Sequence, residues 1–103
     1  MPFFICKVKG QSMAPWCESG DFVIGMRWFV AVYRPGDVVV VRHARFGLII
    51  KRIQSIDKNE GVWLCGDNPS STSTERLGVV PVDALQGRII CRVTPRSCYA
   101  KGD

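Results

Sequence analysis

Apolar and β-branched residues fall in short runs separated by turn residues along almost the whole chain. FFICKVK, DFVIG, RWFVAVY, DVVVVRH, GLIIKRIQSI, VWLC, GVVPV and GRIICRVT are strand-like in length and composition, and no segment keeps a helical period over ten or more residues. The pattern predicts an all-β domain of many short strands. RPGD, Arg34 to Asp37, has proline second and glycine third, the residues of a type II turn, and leads into DVVVVRH. ARFG is expected to close a hairpin between DVVVVRH and GLIIKRI. The polar tract Gly66 to Gly78 reads as a long loop, VDAL as a single helical turn, and the tail from about Pro95 as frayed.

Strand alternation within GLIIKRI sets Leu48, Ile50 and Arg52 on one face and Ile49, Lys51 and Ile53 on the other. Each basic residue has apolar neighbours, and one face must be core. If that face carries Ile49 and Ile53, Lys51 is desolvated and its neutral amine, a general base, gains on the ammonium. Lowering a lysine from about 10.4 to about 7 to 8 corresponds to roughly 3 to 5 kcal/mol, which burial can supply. The strand alone also admits a lysine that lies over its apolar neighbours and carries its charge to water.

Ser12, in GQSMAPWCESGD, is open to two readings as well. Gly-x-Ser is a frequent surface turn. A serine nucleophile needs a base within hydrogen-bond reach and N–H groups aimed at the developing oxyanion. Gly10 permits close backbone approach, the N–H groups of Gln11 and Ser12 could form such a hole, and Lys51 could be the base.

Composition narrows the class. The 103 residues fit one domain with its own core, expected to span 1–103. A content of 47% hydrophobic and 22% charged residues is that of a folded chain. The net charge of +5 comes from scattered lysines and arginines with no run of like charge, so nucleic acid is not the expected partner. Five cysteines without a C-x-x-C pair, and no histidine at ligand spacing, give neither a zinc site nor a complete disulfide framework. No metal or cofactor is expected, and reduced thiols suit a cytoplasmic protein. The longest aliphatic run, Val38 to Val41, is far below the roughly 18 residues of a membrane span, and MPFFICKVK lacks the features of a secretory signal. The sole histidine, His43, ends a strand-like run, where a structural bond is the commoner role than a triad with Ser12 and Asp21 or Asp37. Both aspartates follow glycine and read as turn residues. Trp16, Trp28 and Trp63 are expected in the core or on a groove floor.

Taken in order, GQSMAPWCESGD, RPGDVVVVRH, IIKRI, GDNPSSTSTERLGVVP and LQGRI resemble the serine-lysine peptidases of the type I signal peptidase and SOS-repressor (LexA-like) superfamily, from about Lys7 to Pro95. The resemblance implies a small β-barrel-type catalytic core without a cofactor, with Ser12 as nucleophile and Lys51 as its base. Bacterial signal peptidases often carry a second serine two positions before the nucleophile. This chain has Gly10 there, as do mitochondrial inner-membrane and SOS-type relatives, so the implied oxyanion hole rests on the backbone N–H groups of Ser12 and Gln11. The hydroxyl that orients the lysine falls on Thr72, with Ser71 or Ser73 if the loop shifts. Gly10, Met13 and Pro15 are expected beside the substrate. The family's Asp-Ser-Arg becomes Thr74-Glu75-Arg76, with one residue fewer before Gly78.

Eleven residues precede Ser12 and fourteen separate Lys51 from Gly66, so the anchor and the large second domain of many signal peptidases are expected to be missing. In GDNP and RPGDVVVVRH the chain is similar to the small maturation proteases associated with nickel-type superoxide dismutase. That similarity implies an endopeptidase that removes an N-terminal leader or propeptide, held as an extended strand with small residues before the cleaved bond. The alternatives are a non-catalytic basic β-barrel binding module, or the excised core of a membrane-anchored signal peptidase, which would be membrane-associated.

Overall fold

The computed structural model describes residues 3–27, 33–69 and 71–93. The expected strand RWFVAVY falls largely on residues 28–32, and Trp28 and the tail from Pro95 likewise lie outside the described residues. Strands β1 (Phe3–Lys7), β2 (Phe22–Met26), β3 (Val38–His43), β4 (Gly47–Asp57), β5 (Gly61–Cys65), β6 (Val79–Val80) and β7 (Leu85–Val93) make one antiparallel sheet in the order β1-β2-β7-β3-β4-β5-β6. The all-β expectation holds. Register shifts at Ile24/Gly25, Val40/Val41 and Ile53/Ser55 bend the strands, so the sheet curls into a half-barrel.

The valine run is the centre of that sheet. Val39 and Val41 point into one core with Ile53, Val62, Leu64, Leu77, Val80 and Leu85. Val38 and Val40 point into a second with Val8, Met13, Cys17, Val23 and Ile89. Because both faces of β3 are covered, its sequence is continuously apolar instead of alternating. Trp16 packs against the second core. Cys17 is fully buried there, and desolvation pushes its thiol up to about 11, so it stays neutral. Cys6, Cys17, Cys65 and Cys91 are all free thiols.

The turns follow their residues. Gly36, at φ +96°, supplies the left-handed position of the RPGD turn, which Asp37 closes through its N–H to the Arg34 carbonyl at 3.1 Å. Residues 44–46 turn β3 into β4, as ARFG suggests. The tract from Gly66 to Gly78 departs from a pure loop: Thr74–Leu77 form one helical turn, α1, whose N-terminus Ser73 caps by accepting from the Arg76 N–H at 3.3 Å. GVVPV yields only the two-residue β6, because Pro81 has no N–H to continue a ladder. Val82–Ala84 form the expected single turn, of 3₁₀ type. Among the described residues no helix is long and apolar enough to cross a membrane.

Two open edges decide where a site can form. Among the described residues β1 ends the sheet and pairs only with β2. β4 pairs with β3 from Gly47 to Arg52 but meets β5 only from Arg52 onward. Among the described residues the outer edge of Gly47 to Lys51 therefore carries no strand.

Candidate active site

A cleft of about 320 Å³ runs between those two edges. One wall is Cys6 to Met13, which leaves β1 and turns inward at Gly10. The other is Leu48 to Lys51 of β4, with Phe46 from the preceding turn and Thr72 and Leu77 from the loop beyond. The segment Gly10 to Met13, with Gln11 and Ser12, thus meets Lys51 and Thr72 in one place although the three are far apart in sequence.

Ser12 is carried by a tight turn. The Ala14 N–H donates to the Gln11 carbonyl at 3.0 Å, and Cys17 donates to Met13 at 3.1 Å, while buried Met13 anchors the turn in the second core. The GDN loop holds the turn from outside. Asp67 and Asn68 both donate their N–H to the Ser12 carbonyl at 2.9 Å, and the Asn68 amide donates to the Gln11 carbonyl at 2.9 Å. Gly66 makes this approach possible, since a Cβ there would stand 2.7 Å from the Ser12 oxygen. The N–H groups of Gln11 and Ser12 donate to no acceptor among the described residues. Uncommitted donors are what an oxyanion hole requires.

Lys51 reaches the cleft from the other side. It lies opposite Val39 in the β3–β4 ladder, on the face of Ile49 and Ile53, and is only 4% exposed. Burial lowers its pKa, with the Cys65 thiol beyond it as a smaller opposing influence. The neutral amine therefore gains on the ammonium, and of the two readings of the strand it is the desolvated lysine that is found. Both side chains line the cleft, and among the described residues no hydrogen bond links Ser12 to Lys51.

Arg52, next along β4, points to the opposite face. Its guanidinium grips both oxygens of Asp67, each at 2.8 Å, and donates to the Gly36 carbonyl at 2.7 Å. These bonds hold the Asp67 carboxyl below its ordinary pKa. One strand thus delivers a lysine to the cleft and an arginine to the loop that clasps the serine turn. Arg52, Gly66, Asp67 and Asn68 were not singled out from sequence as site residues. Their signal was their place inside the KR and GDN motifs.

The other candidates are placed differently. Thr72 lines the cleft. Ser71 and Ser73 do not: Ser71 packs against Gly66, and the Ser73 hydroxyl is engaged as the α1 cap. Pro15, which follows a cis Ala14–Pro15 bond, is exposed and lies outside the lining.

His43 is fully occupied by backbone. Its Nδ1 accepts from the N–H groups of Arg45 and Phe46, at 3.0 and 3.3 Å, so the proton sits on Nε2, which donates to the Leu77 carbonyl at 2.7 Å. Among the described residues no aspartate bonds or pairs with it. The carboxylate of Asp21 accepts from the Glu18 N–H and that of Asp37 from the Arg34 N–H, each at 2.9 Å, as turn residues do. No metal-binding cluster of histidine, cysteine or carboxylate occurs among the described residues.

Comparison with known proteins gives one result at the level of families. The family model described as Peptidase S24-like matches residues 2–90. No curated protein matches the chain significantly.

Proposed function

Because the chain belongs to the Peptidase S24-like family, we propose that it is a serine endopeptidase working through a Ser12–Lys51 dyad and removing an N-terminal leader or propeptide from a protein substrate. The observation that carries this reading is that the cleft receives both Ser12 and a lysine that burial keeps toward its neutral form. Lys51 takes the Ser12 hydroxyl proton as Oγ attacks the scissile carbonyl, and the N–H groups of Ser12 and Gln11 meet the oxyanion. The lysine ammonium then returns that proton to the leaving amine. The neutral amine so regenerated takes a proton from the water that attacks the acyl-enzyme and passes it to Oγ as the acyl–oxygen bond breaks, restoring the serine. Side-chain rotation on binding closes the gap between the dyad members, since catalytic hydrogen bonds commonly tighten only with substrate present. We assign the orientation of the amine to Thr72, the one of the three loop hydroxyls that lines the cleft.

The edges of β1 and of Gly47 to Lys51, which carry no further strand among the described residues, present two rows of N–H and C=O groups. An extended peptide laid between them gains main-chain hydrogen bonds on both sides, the strand-addition mode of recognition. A leader peptide incubated with the wild-type protein, Ser12→Ala and Lys51→Ala tests the proposal. Cleavage by the wild type alone, with all three proteins equally folded by circular dichroism, is the expected result. Undiminished cleavage by either variant would remove the dyad.

A further inference from the structure

Among the described residues that line the cleft, Lys7, Lys9 and Lys51 are the titratable amines and there is no aspartate or glutamate. The ion pairs among the described residues are Arg52–Asp67 and Arg88–Asp37, so Lys7 and Lys9 have no carboxylate partner there. Lys7 rests its ammonium over the Phe22 ring at 5.9 Å. Lys9 is exposed, immediately before the chain turns through Gly10 toward Ser12. On the opposite wall the Arg45 guanidinium lies 5.5 Å over the ring of Phe46, itself a lining residue. A groove with apolar walls and cations on both rims concentrates the opposite charge.

Lys51 restricts where that opposite charge can sit. A carboxylate beside it would favour its ammonium and remove the base the reaction needs. Recognition of an acidic group and catalysis by a neutral lysine are compatible only if the acid is held away from β4, on the β1 wall.

Resting on the peptidase reading above, we propose that the substrate segment carries an acidic side chain that meets Lys9 on the β1 wall, with Lys7 and Arg45 adding to the attraction, and that a basic side chain in that place is rejected. Lys9 is then a specificity-determining residue, separate from the dyad. Because it is exposed, the preference is modest: roughly threefold to fivefold in kcat/KM for an acidic over an isosteric neutral residue, weakening with salt. Acidic over basic is a larger ratio, since attraction becomes repulsion.

The test uses fluorogenic peptides with small residues around the cleaved bond, in sets that differ only by Glu, Gln or Lys placed in turn at each flanking position. At one position at least, the wild type should prefer Glu to Gln and Gln to Lys. Lys9→Gln should flatten that order and Lys9→Glu invert it. A purely structural role for Lys9 would change all peptides by the same factor. The same peptides are titrated by fluorescence anisotropy onto Ser12→Ala, which reads the preference without turnover. Equal binding and cleavage of Glu and Gln peptides at every position, or a common factor for all three in the Lys9 variants, overturns the inference. If the wild type cuts none of them but Ser12→Ala still binds Glu over Lys peptides, the acidic preference stands and the peptidase reading falls.

Discussion

Arg52 and Asp67 face each other through two parallel hydrogen bonds of 2.8 Å, and the N–H of the same Asp67 holds the Ser12 carbonyl at 2.9 Å. The orientation of the serine turn therefore depends on a side chain of β4, the strand that also carries Lys51. Asp67→Ala is expected to cost about 1 to 2 kcal/mol, since hydrogen bonds to charged groups are strong but this pair is partly solvated. Displacement of Ser12 should lower kcat about tenfold to a hundredfold, a larger loss than the stability change suggests. Urea unfolding and steady-state kinetics on one preparation separate the two effects. The pair's contribution is complete above the ordinary aspartate pKa of 3.8 and is lost as pH falls through the depressed value in the folded protein.

Lys51 sets the pH dependence in the other direction. Its amine must be neutral to accept a proton, so kcat/KM should rise with pH along a limb whose midpoint lies below the ordinary lysine value of 10.5. Burial of the ammonium also costs stability. That cost is full at pH values below the folded-state pKa and fades as pH rises through it toward 10.5. Lys51→Met should accordingly abolish hydrolysis while raising stability by roughly 1 kcal/mol at neutral pH, with the gain shrinking in alkali. Thermal unfolding of both proteins between neutral and alkaline pH checks the sign.

Gly66→Ala places a methyl carbon 2.7 Å from the Ser12 carbonyl oxygen and against the Ser71 side chain. The loop must withdraw, and the two N–H groups it presents to Ser12 withdraw with it. A loss of about 1 to 3 kcal/mol is expected from overpacking, together with reduced kcat. A crystal structure of the variant should show longer Asp67–Ser12 and Asn68–Ser12 bonds than the native 2.9 Å.

His43→Gln tests whether the imidazole is structural. It disturbs a buried carbonyl at Leu77 and two N–H groups at Arg45 and Phe46, for a cost of about 1 to 3 kcal/mol. Because Phe46 and Leu77 line the cleft, KM should rise while kcat keeps the wild-type order. A kcat as low as that of Ser12→Ala would make His43 the base instead.

Much of this architecture is legible in the sequence. Strand alternation separates Lys51 from Arg52, and the unbroken Val38 to Val41 run marks a strand covered on both faces. RPGD and ARFG locate two turns by their residue chemistry. What escapes is whatever depends on contacts between segments distant in sequence. The sequence pattern leaves Lys51 balanced between burial and snorkelling, and only the packing of its face decides. α1 is one turn, too short to display a period, and its sign is the capping hydroxyl of Ser73. The Arg52–Asp67 clasp escapes because it exists only once the loop after β5 folds back over β4. Thr72, Ser71 and Ser73 are equivalent hydroxyls on paper, and only the course of the loop puts one on the cleft and another at a helix cap.

A groove bounded by two bare strand edges filters its clients by their state of folding before it reads any side chain. A segment already paired within its own sheet or helix has no free N–H and C=O rows to offer, whereas an unstructured terminus does. Processing at such a groove would be timed by the client, with the susceptible bond exposed while its flanks are unstructured and withdrawn once they are built into a domain.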